Sequence, residues 1–175
     1  GPSVMLGYLN NEEENKKVFF NDENGKKWIK TGDLGYIDEN GLFFHQARSK
    51  RMIVRPDGHN VFPSTIENVL ATHKAVSDCA VVGVDSINNQ QGKLPKAVVV
   101  LKDEFKGYEK EIQEELEKLC SENLPERDVA YFYEFTDKIP MTPAGKVDFK
   151  KLESTGIENA NASDVKITQL VKTIK

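Results

Sequence analysis

The sequence predicts an α+β fold, in which a small antiparallel β unit precedes a compact two-layer α+β domain of order β-β-α-β-β-α-β. Two observations predict it. In the first 46 residues, Asn-Gly pairs separate short apolar runs, which is the strongest short-range signature of β-hairpins. Beyond residue 50, valine-rich runs alternate with two segments whose apolar residues recur at helical spacing. Continuous apolar runs are typical of buried strands, which need helices packed against them.

The β unit contains two predicted hairpins. Their turns are Asn24-Gly25 and Asn40-Gly41. The paired apolar runs are 18–20 with 28–30 and 35–37 with 42–44. A short strand over 4–8 and an acidic helix over about 12–17 are expected to precede these hairpins.

The α+β domain begins near residue 50 with two strands joined by a Pro-Asp-Gly turn. Pro63 fits a first helical turn, and the apolar residues that follow it have the spacing of one helix face. The remaining predicted elements are strands over 79–84, 97–101 and 131–135 and helices over 108–123 and 148–152. A polar linker over 153–162 and a last helix beginning after Ser163 are expected to follow.

The composition excludes several classes of protein. Hydrophobic residues make up 38% of the chain and charged residues 30%. This hydrophobic content is well above that of disordered chains. The net charge of −4 disfavours broad binding to nucleic acid or to an anionic membrane. Cys79 and Cys120 lie in apolar surroundings, so we expect buried thiols in a reducing, cytoplasmic compartment. The histidines lack metal-ligand spacing, so no metal-binding residue is predicted, and no apolar run is long enough to span a bilayer.

The stretch from Pro140 to Lys146 places one lysine on a loop of restricted shape. Pro140 and Pro143 fix their own φ angles, and Gly145 permits a tight turn directly before Lys146. A lysine held in this way is a point charge with three donors, which suits phosphate or carboxylate oxygens. The alternative interpretation is a solvated surface loop, since most lysines are exposed.

Three further stretches carry candidate functional residues. Asp33 lies between Gly32 and Gly35, and its carboxylate can accept two hydrogen bonds from a vicinal diol such as a ribose; the alternative is an Asx-type turn. Arg48 and Lys50 lie at the boundary between the β unit and the α+β domain, where they form either an anion-binding site with a hinge or a solvated basic linker.

Gly58 lies in the turn between the first two strands of the α+β domain. Its simplest role is that of the turn residue, because glycine adopts positive φ without strain. Its functional interpretation is a point at which the backbone passes close to a ligand.

Together, these four stretches resemble the C-terminal part of the adenylate-forming enzymes, and most closely that of an acyl-CoA synthetase. Residues 28–33 resemble the family's aromatic-x-(Arg/Lys/His)-Thr-Gly-Asp motif, and residues 140–146 its Pro-x-Thr-x-x-Gly-Lys motif. The stretch from Arg48 through Gly58 to Glu67 resembles its hinge-and-hairpin motif. The resemblance covers about residues 1–152.

The resemblance implies a role for each matching residue. Asp33 would bind the ribose hydroxyls of ATP or AMP, and Arg48 would help to hold the nucleotide. Lys50 would be the hinge, and Lys146 the catalytic residue that reaches the substrate carboxylate and the α-phosphate. Gly58 would line the channel for the pantetheine arm of coenzyme A, while Mg²⁺ would hold the departing pyrophosphate.

The resemblance also implies a domain organisation. Residues 1–47 would end a large N-terminal domain, residues 48–152 would form the mobile C-terminal domain, and 153–175 a linker and tail helix. The family's phosphate-binding loop and acyl pocket are not in this sequence, so we expect a fragment of a longer ligase that is inactive alone. Its expected partners are a carboxylic acid and the missing N-terminal domain.

Two alternatives remain at this point. One is an adenylation domain that loads a carrier protein instead of coenzyme A. The other is a non-catalytic module that binds a nucleotide or a partner. The sequence also departs from the family twice. Ala47 stands where glycine is usual, and Pro56-Asp57 adds a residue before Gly58, which resembles variants among long-chain acyl-CoA synthetases.

Overall fold

A computed structural model describes residues 3–85, 91–157 and 161–162. The chain divides into two compact units, Gly1–Lys50 and Arg51–Lys175. The domain boundaries expected after residues 47 and 152 remain predictions. Each unit is described separately below.

The first unit consists of one short helix and two antiparallel hairpins. Its elements are α1 (Glu12–Val18), β1 (Phe19–Asn21), β2 (Lys27–Ile29), β3 (Asp33–Ile37) and β4 (Phe43–Arg48). β1 pairs with β2, and β3 pairs with β4. The helix begins after Asn11, whose side-chain oxygen accepts a hydrogen bond from the Glu14 N–H and so satisfies one free donor of the first turn.

The strand expected over residues 4–8 does not form. The backbone of Tyr8 bonds to the Asn15 side chain instead, with its N–H donating at 2.7 Å and its carbonyl accepting at 2.9 Å. Both hydrogen-bonding groups of Tyr8 are therefore satisfied by one amide, which removes the need for a neighbouring strand.

The second unit has the predicted order of strands and helices, followed by one additional short strand. Its elements are β5 (Ile53–Val54), β6 (Asn60–Val61), α2 (Pro63–Leu70), β7 (Val76–Asp85), β8 (Lys93–Leu101), α3 (Glu109–Asn123), β9 (Phe132–Phe135), α4 (Phe149–Ser154) and β10 (Asn161–Ala162). The main sheet has the order β10-β9-β8-β7, in which only β8 and β9 are parallel. The α+β class is confirmed.

Successive residues of β7, β8 and β9 face two different cores, as strand geometry requires. We call the core that contains α2 and α3 the helix core; among its members are Ile66, Leu70, Val81, Ala97, Val99, Leu116, Cys120 and Tyr133. We call the other the loop core, and its buried members are Ala80, Val82, Val84, Leu94, Val98, Phe132, Ile139 and Leu152. The loop core holds both flanks of the segment that carries Lys146.

The end of the described chain differs from the predicted linker. α4 continues to Ser154, and Asn161–Ala162 form β10 by pairing with β9 at the edge of the sheet. The tail helix expected after Ser163 lies outside the described residues. No helix within the described ranges is long and apolar enough to cross a membrane.

Candidate functional site

The Lys146 loop, residues 140–147, is a tight hairpin-like turn. Met141 and Val147 form an antiparallel bridge across its base. Inside it, the Thr142 N–H donates to the Lys146 carbonyl at 2.6 Å, and the Gly145 N–H donates to the Thr142 carbonyl at 2.9 Å. Gly145 has a φ of +72°, which glycine adopts without strain, so the turn needs this residue at this position.

The loop is anchored on both sides, whereas the Lys146 side chain is exposed. Ile139, which precedes the loop, is 6% exposed and packs in the loop core. The Asp148 N–H donates to the Pro140 carbonyl at 2.8 Å, and the Asp148 side chain caps α4 through the Lys151 N–H. Within the described part of the second unit, no carboxylate forms an ion pair with Lys146. The loop therefore presents a free ammonium on a fixed backbone.

Asp33 and Arg48 lie opposite each other on β3 and β4. The Arg48 Nε atom is 2.7 Å from the Asp33 Oδ1 atom, and the His45 Nε2 atom is 3.6 Å from the same oxygen. Arg48 is 63% exposed, whereas Asp33 is 26% exposed and its Oδ1 atom is buried. The structure therefore brings together a carboxylate that can accept hydroxyl groups and a guanidinium that can bind an anion.

Lys50 is exposed in a short 3-10 helix, Ser49–Arg51, and the residue after it is firmly held. The Arg51 Nη2 atom lies 2.5 Å from Glu67 Oε1, and its guanidinium lies 4.0 Å from the centre of the Phe149 ring. Glu67 Oε1 also accepts the Val81 N–H at 2.8 Å. The Arg51 side chain is thus held by contacts within the second unit.

Gly58 lies in the turn between β5 and β6, with a φ of +78°. Its N–H donates to the Arg55 carbonyl at 2.9 Å, and a Cβ atom at this position would meet no atom within 4 Å. Gly58 therefore acts as the turn residue, and the space next to its Cα atom is open.

The Gly58 hairpin is braced by residues that the sequence analysis did not single out. The Arg55 side chain donates to the Arg127 carbonyl at 2.6 Å and lies 5.0 Å from the centre of the Tyr131 ring. The His59 Nε2 atom lies 2.6 Å from Asp128 Oδ1. Burial raises the pKa of the Tyr131 hydroxyl, although the Arg55 guanidinium opposes part of this rise. Tyr131 consequently remains a neutral surface for the guanidinium.

A buried ion pair in the loop core was also missed. The Lys96 side chain is 0% exposed, and its Nζ atom lies 2.7 Å from Glu134 Oε2. Its sequence signal is a lysine inside the apolar run 94–101, because a charged residue within a buried strand needs a partner. The partner is not evident from the sequence.

The described residues do not contain a group of three His, Cys, Asp or Glu side chains that could hold a metal ion. We therefore assign none of them to Mg²⁺.

Comparisons with known proteins identify the family to which this fold belongs. Residues 65–146 match the model of the AMP-binding enzyme C-terminal domain. A 2-succinylbenzoate–CoA ligase of Bacillus licheniformis is 36% identical over 152 residues, which are 87% of this chain and 29% of that protein. A long-chain-fatty-acid–CoA ligase of Bacillus subtilis is 36% identical over 159 residues, which are 91% of this chain and 26% of that protein.

A solved structure, the O-succinylbenzoate coenzyme A synthetase of Bacillus subtilis in complex with AMP, has a TM-score of 0.70 and 31% identity. The match covers 87% of this chain and 28% of that structure. The fold and motifs thus define the C-terminal domain of an AMP-binding enzyme. The chain belongs to the adenylate-forming enzyme superfamily, and it spans less than a third of the length of these relatives.

Proposed function

We propose that this chain is the C-terminal portion of an AMP-forming acyl-CoA ligase, which activates a carboxylic acid with ATP and transfers the acyl group to coenzyme A. The observation that carries this proposal is the exposed Lys146 ammonium on a fixed loop of the family's C-terminal domain. The CoA ligases among the relatives support the choice of acceptor.

Lys146 would act in the first half-reaction. There, a carboxylate oxygen attacks the α-phosphorus of ATP, the bond to the bridging oxygen breaks, and pyrophosphate leaves. Two anions approach each other and negative charge develops on the phosphoryl oxygens, so a positioned cation stabilises the transition state more than the separated reactants. A fixed loop helps because the ammonium need not be reoriented during the reaction.

Asp33 and Arg48 would hold the nucleotide. The Asp33 carboxylate suits the two ribose hydroxyls, and the Arg48 guanidinium suits an anionic oxygen. Their pairing at 2.7 Å keeps both groups at the same end of one hairpin, which supports a shared ligand. Mg²⁺, when bound with ATP, would offset the charge of the pyrophosphate; we assign it no ligand in this chain.

Lys50 and Gly58 would serve the exchange between half-reactions. The chain divides into its two compact units directly after Lys50, which supports a hinge at this residue. Rotation about it would remove Lys146 and bring the Gly58 hairpin to the nucleotide site. A glycine with nothing within 4 Å of its Cβ position leaves space for a narrow pantetheine arm.

The first unit would belong to the N-terminal domain of the longer ligase. Ala47 is its only buried residue between positions 3 and 50. Its exposed large hydrophobic residues are Val4, Met5, Leu6, Tyr8, Leu9, Phe20, Trp28, Tyr36, Ile37, Leu42, Phe43 and Phe44. An exposed apolar surface of this size is typical of one that packs against another domain. It therefore supports the proposal that the first unit packs within the N-terminal domain of the same protein. The ligase would act in the cytoplasm.

The experiment uses the intact ligase and the 175-residue chain side by side. Each is tested for carboxylate-dependent ATP–pyrophosphate exchange with 2-succinylbenzoate, a long-chain fatty acid and a panel of other acids, and then for thioester formation with coenzyme A. The intact protein is expected to be active in both assays, and the chain alone in neither. Exchange without coenzyme A transfer would favour a carrier protein as acceptor, and no exchange with any acid would favour the non-catalytic module.

A further inference from the structure

The Lys146 loop connects β9 to α4, and one buried ammonium contacts both elements. The Lys96 Nζ atom in β8 lies 2.7 Å from Glu134 Oε2 in β9. The same atom donates to Thr155 Oγ1 at 2.9 Å and to the Gly156 carbonyl at 2.8 Å, directly after α4. These three short contacts match the three donors of an ammonium, and the Leu152 carbonyl of α4 lies 3.4 Å from the same atom.

The position of this ion pair within the fold gives it a specific consequence. Lys96 is two residues from both Leu94 and Val98 along β8, and Glu134 is two residues from Phe132 along β9. Because side chains two residues apart in a strand point to the same face, Lys96 and Glu134 lie on the loop-core face of the sheet. This layer also contains the flanks of the Lys146 loop. A buried charge requires its partners to stay in place, because an unpaired ion in such a layer is strongly unfavourable.

The ends of the loop are close in sequence to the two tethered elements. β9 ends at Phe135, and α4 begins at Phe149, three residues after Lys146. The hydrogen bonds that close the loop, including the one from the Asp148 N–H to the Pro140 carbonyl, join its β9 side to its α4 side. Any displacement of α4 from β9 would therefore separate these bonded groups.

We propose that Lys96 is a positioning residue for Lys146. With Glu134, it holds α4 against β9, and this keeps the Lys146 loop in the shape that adenylation requires. The proposal rests on the proposed function of Lys146, but its structural half, the ordering of the loop, can be tested without any activity.

The test compares three variants with wild type. Lys96→Met alone leaves the Glu134 carboxylate without its partner and is expected to unfold readily. The decisive variant is therefore Lys96→Met/Glu134→Leu, which removes both charges and fills the layer with apolar groups, a replacement that proteins often tolerate. The matched control is Lys93→Met, because Lys93 also lies on β8 and pairs with Glu153 of α4 at 3.5 Å, but it is 46% exposed.

Two readouts separate positioning from general stability. In the 175-residue chain, amide hydrogen exchange at Thr142, Gly145 and Lys146 is expected to accelerate about tenfold or more in the double variant, while exchange in α3 is unchanged. In the intact ligase, the kcat of adenylation is expected to fall about 10- to 100-fold, while thioester formation from a supplied acyl-adenylate stays within about twofold. Lys93→Met is expected to match wild type in both.

An unchanged rate of amide hydrogen exchange in the Lys146 loop of a folded double variant would overturn the proposal. Equal losses of rate in both half-reactions would also overturn it, because a merely structural role would produce them. If Lys146→Ala itself retains adenylation, the proposed function of Lys146 fails, but the exchange data still decide whether Lys96 orders the loop.

Discussion

Replacing Glu67 is expected to destabilise the second unit in two separable steps. Its Oε1 atom accepts from Arg51 Nη2 at 2.5 Å and from the Val81 N–H at 2.8 Å, and its side chain is 18% exposed. Glutamine keeps an acceptor for the Val81 N–H but removes the charge. Leucine removes both.

The magnitudes follow from burial. Removing one partner of a fully buried ion pair costs about 3–5 kcal/mol. Arg51 is 26% exposed and keeps its contact with the Phe149 ring, so we reduce this to about 1–2 kcal/mol for Glu67→Gln. Leaving the Val81 N–H without an acceptor adds about 1–2 kcal/mol, which gives about 2–4 kcal/mol for Glu67→Leu.

The assay is urea and thermal unfolding of the 175-residue chain, followed by far-ultraviolet circular dichroism. At about 3 °C per kcal/mol, Tm should fall by about 3–6 °C for glutamine and 6–12 °C for leucine. The control is Glu122→Gln, whose ion pair with Lys118 is at the surface, with side chains 59% and 76% exposed, and should contribute less than about 0.5 kcal/mol. A Glu67→Leu variant as stable as wild type would refute the reasoning, and equal losses for both variants would refute the separate contribution of the Val81 bond.

The remaining predictions concern three residues, Cys79, Gly58 and Lys50. Burial raises the pKa of the Cys79 thiol from 9.0 to about 12, so iodoacetamide at pH 8 should label this thiol only after the chain unfolds. Labelling of Cys79 in the native chain at the rate of free cysteine would contradict this prediction. The folded state binds the thiol proton more tightly than the unfolded state does. The contribution of Cys79 to the free energy of unfolding should therefore decline as pH rises from about 9 towards 12, and urea unfolding across that pH range measures it. Gly58→Ala should cost about 1 kcal/mol in urea unfolding, since only its positive φ opposes a side chain; a loss above about 3 kcal/mol would mean that the Cβ position is obstructed. Lys50→Pro in the intact ligase should preserve each half-reaction but slow overall turnover, because proline fixes φ at the hinge; normal turnover would argue against that hinge.

Local signals predicted most of the fold. The Asn-Gly turns located both hairpins of the first unit, and Pro63 together with helical spacing located α2. These features depend on residues near each other in sequence, where turn chemistry and periodicity act directly.

The errors have physical causes. The expected strand over 4–8 was wrong because a side chain, that of Asn15, took the backbone hydrogen bonds of Tyr8. The strand predicted over 97–101 begins earlier, at Lys93, because a buried lysine made its first half look polar. β10 was missed because two small or polar residues carry no strand pattern and depend on the free edge of β9.

The candidate site was only partly visible in the sequence. Motifs located Lys146 and Asp33, but the pairing of Asp33 with Arg48 depends on the register of β3 and β4, which shifts between Leu34 and Gly35. The Lys96–Glu134 pair joins residues 38 positions apart, so no local pattern could reveal it. The roles of Lys146, Asp33, Arg48, Lys50 and Gly58 remain predictions.

The most direct test of the central claim, that Lys146 serves adenylation and not thioester formation, measures both half-reactions in the Lys146→Ala variant of the intact ligase. Carboxylate-dependent ATP–pyrophosphate exchange should fall at least about 100-fold, as expected for the loss of a group that stabilises transition-state charge. Thioester formation from a supplied acyl-adenylate should stay within about threefold of wild type, since the loop would be away from the site. Equal losses in the two half-reactions, or an unchanged exchange rate, would contradict the claim.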